Sequence, residues 1–160
     1  MSNSKVTIIQ PGPVLIQKKE WSQFPLGNNR YDNANTGYTA GGGGATLKNY
    51  LALGRINATG KVVPLAPTAS DGSQYFYGFL DLQNESELVV AGTATTNPLT
   101  VIISGRVDIK NAVWPSGVTL DTPIDENTDD GAVSGRTVRQ MLLDKGFSLI
   151  ETKKTLVMPS

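Results

Sequence analysis

The chain has 160 residues and no net charge, because 14 Lys and Arg residues balance 14 Asp and Glu residues. It contains neither cysteine nor histidine, which excludes disulfides, Cys–His zinc sites and the catalytic triads and dyads that need those side chains. Without a basic cluster or an apolar run of about 20 residues, the sequence predicts no nucleic-acid partner and no membrane span.

Residues 1–48 are predicted to form an extended N-terminal arm. Two short β-branched segments, 6–9 (VTII) and 14–16 (VLI), flank the sequence Pro-Gly-Pro, which bars them from the centre of a sheet. Residues 27–45 hold few large side chains, so they cannot bury enough apolar surface to offset the entropy of ordering. We expect the glycines 41–44 to be a flexible hinge between this arm and a body that spans residues 49–160.

The body is predicted to be mainly β with one short helix. Short apolar segments recur between turn signals, and they predict strands at 50–55, 61–65, 75–82, 88–91, 99–103, 105–110 and 147–150. A helix is expected over 137–145, where Val138, Met141 and Leu142 share one face. Ser134 or Thr137 is expected to cap its start, and Gly146 to end it.

Three features of the sequence resemble chemical sites but lack residues or spacings that those sites require. The glycines 41–44 and Lys48 do not match a phosphate-binding loop, because no strand precedes the glycines and Asn49 follows the lysine. The acidic loop 125–131 lacks the glycine and the final bidentate glutamate of a calcium loop. No spacing singles out a catalytic pair among the acids Asp81, Glu85, Glu87, Asp108 and Asp121. We therefore predict no enzyme, no cofactor and no metal.

A series of motifs resembles the lambda-type head decoration protein D family of tailed phages. They are 60–65 (GKVVPL), 71–74 (DGSQ), 77–80 (YGFL), 103–107 (ISGRV) and 111–115 (NAVWP), followed by the helix and the strand 147–150. The resemblance covers about residues 50–151. The arm, the loop 121–135 and the tail 151–160 depart from the family pattern, so the contacts of the arm and the role of the tail stay open.

The resemblance implies a β-clip or β-tulip-like small barrel body that assembles as a homotrimer. Such trimers bind the outer surface of the expanded capsid at three-fold positions and stabilise the shell against DNA pressure. The partner is then the major capsid protein of a tailed phage. The protein would be made in the cytoplasm of a bacterial host and carried on the virion surface.

The residues themselves predict a compatible mechanism, in which the arm adds to an open sheet edge of the capsid protein. The expected arm anchors are Val6, Ile8, Ile9, Val14, Leu15 and Ile16, with Trp21 and Phe24 as aromatic hot spots. Trp114, Pro115, Tyr75 and Tyr77 are candidates for the core or the trimer contact. The alternative is a virion-displayed module that binds glycans or cell surfaces, with Trp114, Tyr75 and Tyr77 as stacking platforms.

Overall fold

We describe the fold from a computed structural model, which covers residues 24–32, 37–38, 42–96, 98–127, 133–134 and 136–151, with only the backbone at 126–127 and 133–134. The predicted mainly β class is confirmed: these residues form ten strands, one short α-helix and one turn of 3-10 helix. The strands are β1 (Pro25–Asp32), β2 (Ala45–Lys48), β3 (Ala52–Arg55), β4 (Val62–Pro64), β5 (Phe76–Leu80), β6 (Glu87–Val90), β7 (Val101–Asp108), β8 (Glu126–Asn127), β9 (Val133–Ser134) and β10 (Phe147–Ile150). The 3-10 turn is Ile109–Asn111, and helix α1 is Val138–Asp144.

Strand β7 is the centre of the main sheet. The strands follow the order β1–β7–β5–β3–β4 with antiparallel pairing, and β10 joins β7 in parallel. Because β1 pairs along the length of β7, the other edge of β7 is shared, with β5 beside residues 101–102 and β10 beside residues 105–108. Separate two-stranded ribbons are formed by β2 with β6 and by β8 with β9.

The side chains of the main sheet alternate between two hydrophobic clusters, as the pleat of a strand requires. We call one the aromatic core; its members are Phe24, Ala52, Leu65, Phe76, Phe79, Ile102, Val107, Ile109, Val118, Ile124, Val138, Met141, Leu142 and Phe147. The other, the aliphatic core, consists of Tyr38, Leu47, Leu51, Leu53, Val62, Leu80, Val90, Leu99 and Val101. Neighbouring strand residues such as Phe79 and Leu80 enter different clusters, so the clusters cover opposite faces of the sheet.

Helix α1 is confirmed with the predicted face and cap. Thr137 caps its start: the hydroxyl accepts a hydrogen bond from the Gln140 backbone N–H at 3.3 Å, and the Gln140 side chain accepts from the Thr137 N–H at 2.9 Å. This reciprocal pair is a capping box. Val138, Met141 and Leu142 are all buried in the aromatic core, so the helix closes that face of the sheet.

A single long strand replaces two predicted ones at residues 99–110. The sequence predicts a break at Ser104, whereas β7 runs unbroken from Val101 to Asp108. Gly105 has φ +111°, and a Cβ there would lie 2.6 Å from the carbonyl oxygen of Asn28. Beside it, β1 shifts its register, and the Asn29 side chain donates to the carbonyl of Arg106 at 2.9 Å. Glycine thus admits a bulge of the neighbouring strand without ending β7.

The boundary predicted at residue 48 between arm and body is wrong for the described residues. Strand β1 belongs to the main sheet through β7, and β2 pairs with β6. The glycines 42–44 connect β1 to β2 within the body, so they do not join an arm to it. The contacts between β1 and β7 join residues about 75 positions apart in the chain, and local composition carries no information about such distant pairing.

The small barrel expected for the body does not close. Within the described residues, β1 and β4 are the outer strands of the main sheet and do not pair with each other. Helix α1 and the ribbon of β2 and β6 cover the two faces, which buries both hydrophobic clusters without closure. The fold is therefore an open, mainly antiparallel sheet with covered faces.

Candidate interaction surface

An open apolar groove lies beside strand β6. Its lining comes from β6 and the chain that follows, residues 88–91, 94–96, 98 and 99, and its volume is about 460 Å³. None of these lining residues is charged. Val90 and Leu99 also belong to the aliphatic core, so the buried side of this β6 groove is continuous with the protein interior.

Val89 is the most exposed large hydrophobic residue in the described part of the chain. Its exposed fraction is 67%, compared with 51% for Leu143 and 46% for Tyr31. Val89 pairs with Thr46 of β2 and is one of the residues that line the groove. Together with the uncharged lining, the exposed valine makes this groove a candidate contact surface for another protein.

Strand β6 also has a regular open edge. Its four residues pair with β2 without a register shift, and none of their outward backbone groups bonds to another described residue. In contrast, β1 carries three register shifts, and β4 has three residues and ends at Pro64. Bulges and prolines protect sheet edges from strand addition. Among these three edges, β6 is therefore the best suited to pairing with another chain.

Three of the five acids considered as catalytic candidates have structural partners. Asp108 is 2% exposed and caps the 3-10 turn, where its carboxylate accepts from the Lys110 N–H at 3.2 Å. Asp121 forms an ion pair with Arg139, and Glu87 forms one with Lys48, each at 3.4 Å. The described residues contain no group of three acids placed to hold a metal ion. No helix in the described ranges is long and apolar enough to cross a membrane.

Phe24 is not an exposed hot spot, which corrects the prediction from sequence. Its side chain is fully buried in the aromatic core, stacked on Tyr50 with ring centroids 4.5 Å apart and edge-on to Phe79 at 4.7 Å. Residue 24 immediately precedes β1, whose pairing with β7 brings the ring over the sheet. The other predicted arm anchors (Val6, Ile8, Ile9, Val14, Leu15, Ile16 and Trp21) lie outside the described residues.

The aromatic residues proposed as stacking platforms are not gathered on one surface. Trp114 is half-buried and packs edge-on against Phe79 at 5.8 Å, and Tyr75 packs against the same aromatic core. Tyr77 packs instead against the aliphatic core. Pro115 continues the chain after Trp114 and accepts a hydrogen bond from the Val118 N–H at 3.0 Å. Trp114 and Tyr75 therefore pack against the core, which is one of the two roles, core or trimer contact, that the sequence predicts for them.

Tyr77 is part of a polar cluster that joins four elements. Its hydroxyl donates to the carboxylate of Asp32, at the end of β1. The Arg55 guanidinium lies 5.4 Å from the ring centroid, and the Lys145 ammonium lies 5.8 Å from it. Burial lowers the pKa of Lys145. Since both cations contact the ring, this cluster stabilises the junction of β1, β3, β5 and helix α1.

Comparison with known proteins gives no family for this chain. A scan against protein-family models finds no match, and a search of curated proteins finds no relative. The resemblance to the lambda-type decoration proteins stays a prediction from the order of the motifs. The sequence predicts β6 as a strand, but its groove was not predicted. One signal was present: successive side chains of a strand point to opposite faces, so one of the two consecutive valines of β6 must face away from the core.

Proposed function

We propose that this chain is a capsid decoration protein. It binds as a homotrimer to the outer surface of the expanded head of a tailed phage and stabilises that shell. The observation that carries the proposal is the β6 groove with its exposed Val89 and open strand edge, a surface suited to another protein chain. The motif order that resembles decoration proteins supports the same conclusion.

The β6 groove is the contact between neighbouring subunits of the trimer. A three-fold ring needs a heterologous contact, in which a patch on one subunit meets a different patch on the next. The cores of such contacts are apolar and depleted of charge. The lining of the β6 groove is uncharged, and Val89 is available because 67% of its surface is exposed.

The N-terminal segment attaches the trimer to the shell. Val6 and Ile8 alternate with Thr7, so in an extended chain the two apolar side chains would share one face. Strand addition to a capsid subunit would bury that face, and backbone hydrogen bonds would supply affinity. Phe24 fixes the C-terminal end of this segment to the body, because its side chain is buried in the core.

Stabilisation of the shell follows from mass action. A protein that binds the expanded lattice more tightly than the unexpanded one shifts the equilibrium by the difference in binding free energy. Three attachment segments on one trimer raise the effective concentration for the second and third contacts. Each segment therefore needs only a modest affinity.

The first experiment tests attachment. Full-length variants Val6→Asp and Ile8→Asp are compared with the control Thr7→Asp by co-sedimentation with expanded heads that lack the protein. Burying one such apolar side chain contributes about 1.5–3 kcal/mol, so each anchor variant is expected to bind at least tenfold more weakly. The control places the same charge on the other face and should bind nearly as the parent does. Equal binding by all three variants would contradict the role of the segment.

The second experiment tests the trimer. Light scattering should give three times the subunit mass of 17.0 kDa for the parent protein. Val89→Asp should shift the population to monomers, whereas the control Leu143→Asp, at an exposed position on helix α1, should leave the trimer intact. A parent protein that is monomeric at all concentrations would refute the proposed assembly. A trimer unaffected by Val89→Asp would refute the assignment of the β6 groove to the subunit contact.

A further inference from the structure

Tyr31 of β1 and Asp81, the residue after β5, bring a tyrosine ring and a carboxylate to one face of the main sheet, on either side of β7. Tyr31 of β1 pairs with Ile102 of β7, which in turn pairs with Phe79 of β5. Directly paired residues share a face. Asp81 lies two residues beyond Phe79, and its N–H donates to the Thr100 carbonyl at 2.9 Å, so the ladder continues to this point. Asp81 therefore lies on the same face as Tyr31.

Tyr50 completes the group from the turn between β2 and β3. Its N–H donates to the carbonyl of Leu80, the residue before Asp81, at 2.8 Å, and its ring stacks on Phe24. Burial and the charge of Asp81 raise the pKa of both Tyr31 and Tyr50. Both phenols are thus neutral at ordinary pH, and the Asp81 carboxylate is close enough to act on each of them.

The charge of Asp81 has no cationic partner among the described residues. One carboxylate oxygen, Oδ1, accepts from the Gln83 N–H at 2.7 Å and so closes a local turn. No described donor contacts the other oxygen, and Asp81 takes part in none of the ion pairs Lys48–Glu87, Arg136–Asp144 and Arg139–Asp121. A half-buried carboxylate without a cation is a site of negative potential.

We propose that Tyr31, Tyr50 and Asp81 form a receptor for an arginine side chain of a protein partner. The proposal does not depend on the decoration function. Tyr31 is 46% exposed, so its ring is accessible to a planar cation. A guanidinium can stack on an aromatic ring while one N–H donates to a carboxylate oxygen, whereas an ammonium offers only a point charge. The second carboxylate oxygen of Asp81, which no described donor contacts, supplies the acceptor that this geometry requires.

The test uses the full-length protein with ¹³C-labelled tyrosine rings. N-acetyl-arginine amide is titrated while the aromatic NMR signals are recorded, and the neutral isostere N-acetyl-citrulline amide serves as the ligand control. We expect saturable shifts of the Tyr31 and Tyr50 signals with the arginine probe, and binding about tenfold weaker or absent with the citrulline probe. Similar shifts with both probes, or no shift with the arginine probe, would overturn the proposal.

Two variants separate the receptor from general surface charge. Asp81→Asn retains an oxygen for the Gln83 N–H, so the turn is kept while the charge is lost. Glu85→Gln removes the same charge from an exposed position four residues away. We expect Asp81→Asn to weaken arginine binding at least fivefold and Glu85→Gln to change it less than twofold. Equal losses in both variants would mean that only the net charge acts, and the receptor would be rejected.

Discussion

Replacing Phe24 by alanine tests where the body of this protein begins. The sequence places Phe24 in a free arm, whereas the structure buries it completely. Its ring is stacked on Tyr50 and edge-on to Phe79, and its carbonyl accepts a hydrogen bond from the Asp108 N–H at 2.8 Å. In a free arm the substitution would leave the stability of the body unchanged, whereas in the core it would remove a large packed side chain.

The structure predicts a loss of about 3–5 kcal/mol in the free energy of unfolding, the range found when buried phenylalanines are cut to alanine. A loss near the upper end is expected because two aromatic contacts disappear together with the buried area, and such pairs add about 0.5–1.5 kcal/mol each. Single domains are stable by only about 5–15 kcal/mol. The substitution would therefore remove a large share of the total stability.

Urea unfolding followed by far-UV circular dichroism measures this loss. The control is Leu143→Ala, since Leu143 is 51% exposed and its truncation should change stability by less than about 0.5 kcal/mol. If Phe24→Ala unfolds within about 1 kcal/mol of the parent protein with an unchanged urea dependence, Phe24 does not contribute to the core. The assignment of β1 to the body would then be wrong.

Two further substitutions test local features of the fold by the same assay. Gly54→Ala should lower the free energy of unfolding by about 1–3 kcal/mol, because the added Cβ would overlap the carbonyl of Ser73. The control Gly42→Ala should be nearly neutral, since nothing lies within contact distance of a Cβ there. Equal effects of the two substitutions would mean that the strand can move away from Ser73. Thr137→Ala should lower the free energy of unfolding by about 1 kcal/mol, because it removes the cap of helix α1. Thr137→Ser keeps the hydroxyl and should retain most of this stability. An equal loss in both variants would contradict the role of the hydroxyl.

Helix α1 was predictable because every signal that defines it is local. The apolar spacing, the threonine cap and the glycine stop lie within ten residues of one another, and the structure uses all of them. Most strands of the body were predictable for the same reason. Their apolar segments are short, and turn residues bound them on both sides.

Strand β1 was not predictable, because its stability comes from a distant partner. Its sequence, PLGNNRYD, shows no alternation of apolar and polar residues, and three register shifts interrupt its pairing with β7. The Asn29 side chain bonds to the backbone of β7 at Ser104 and Arg106, which local composition cannot reveal. A polar segment that looks unable to order itself can therefore be an edge strand with side-chain support.

The candidate surfaces were only partly predictable. The sequence shows that Val89 and Val90 alternate, but only the tertiary structure shows that Val90 is buried, that Val89 is exposed and that both line one groove. The meeting of Tyr31 and Asp81 depends on two successive strand pairings through β7. Such sites arise from tertiary structure, so no spacing in the sequence marks them.

The position of Phe24 also changes how far the N-terminal segment can reach. Because the glycines 42–44 follow β1, they cannot lengthen the connection between the predicted anchors and the body. Eight residue steps separate Ile16 from Phe24, and a fully extended chain spans at most about 3.3–3.6 Å per residue, or about 26–29 Å in total. In the proposed attachment, the capsid residue that contacts Ile16 lies within about 30 Å of the start of β1, and the one that contacts Val14 lies within about 36 Å of it. The proposed attachment therefore requires the shell contact to lie near the side of the body where β1 begins.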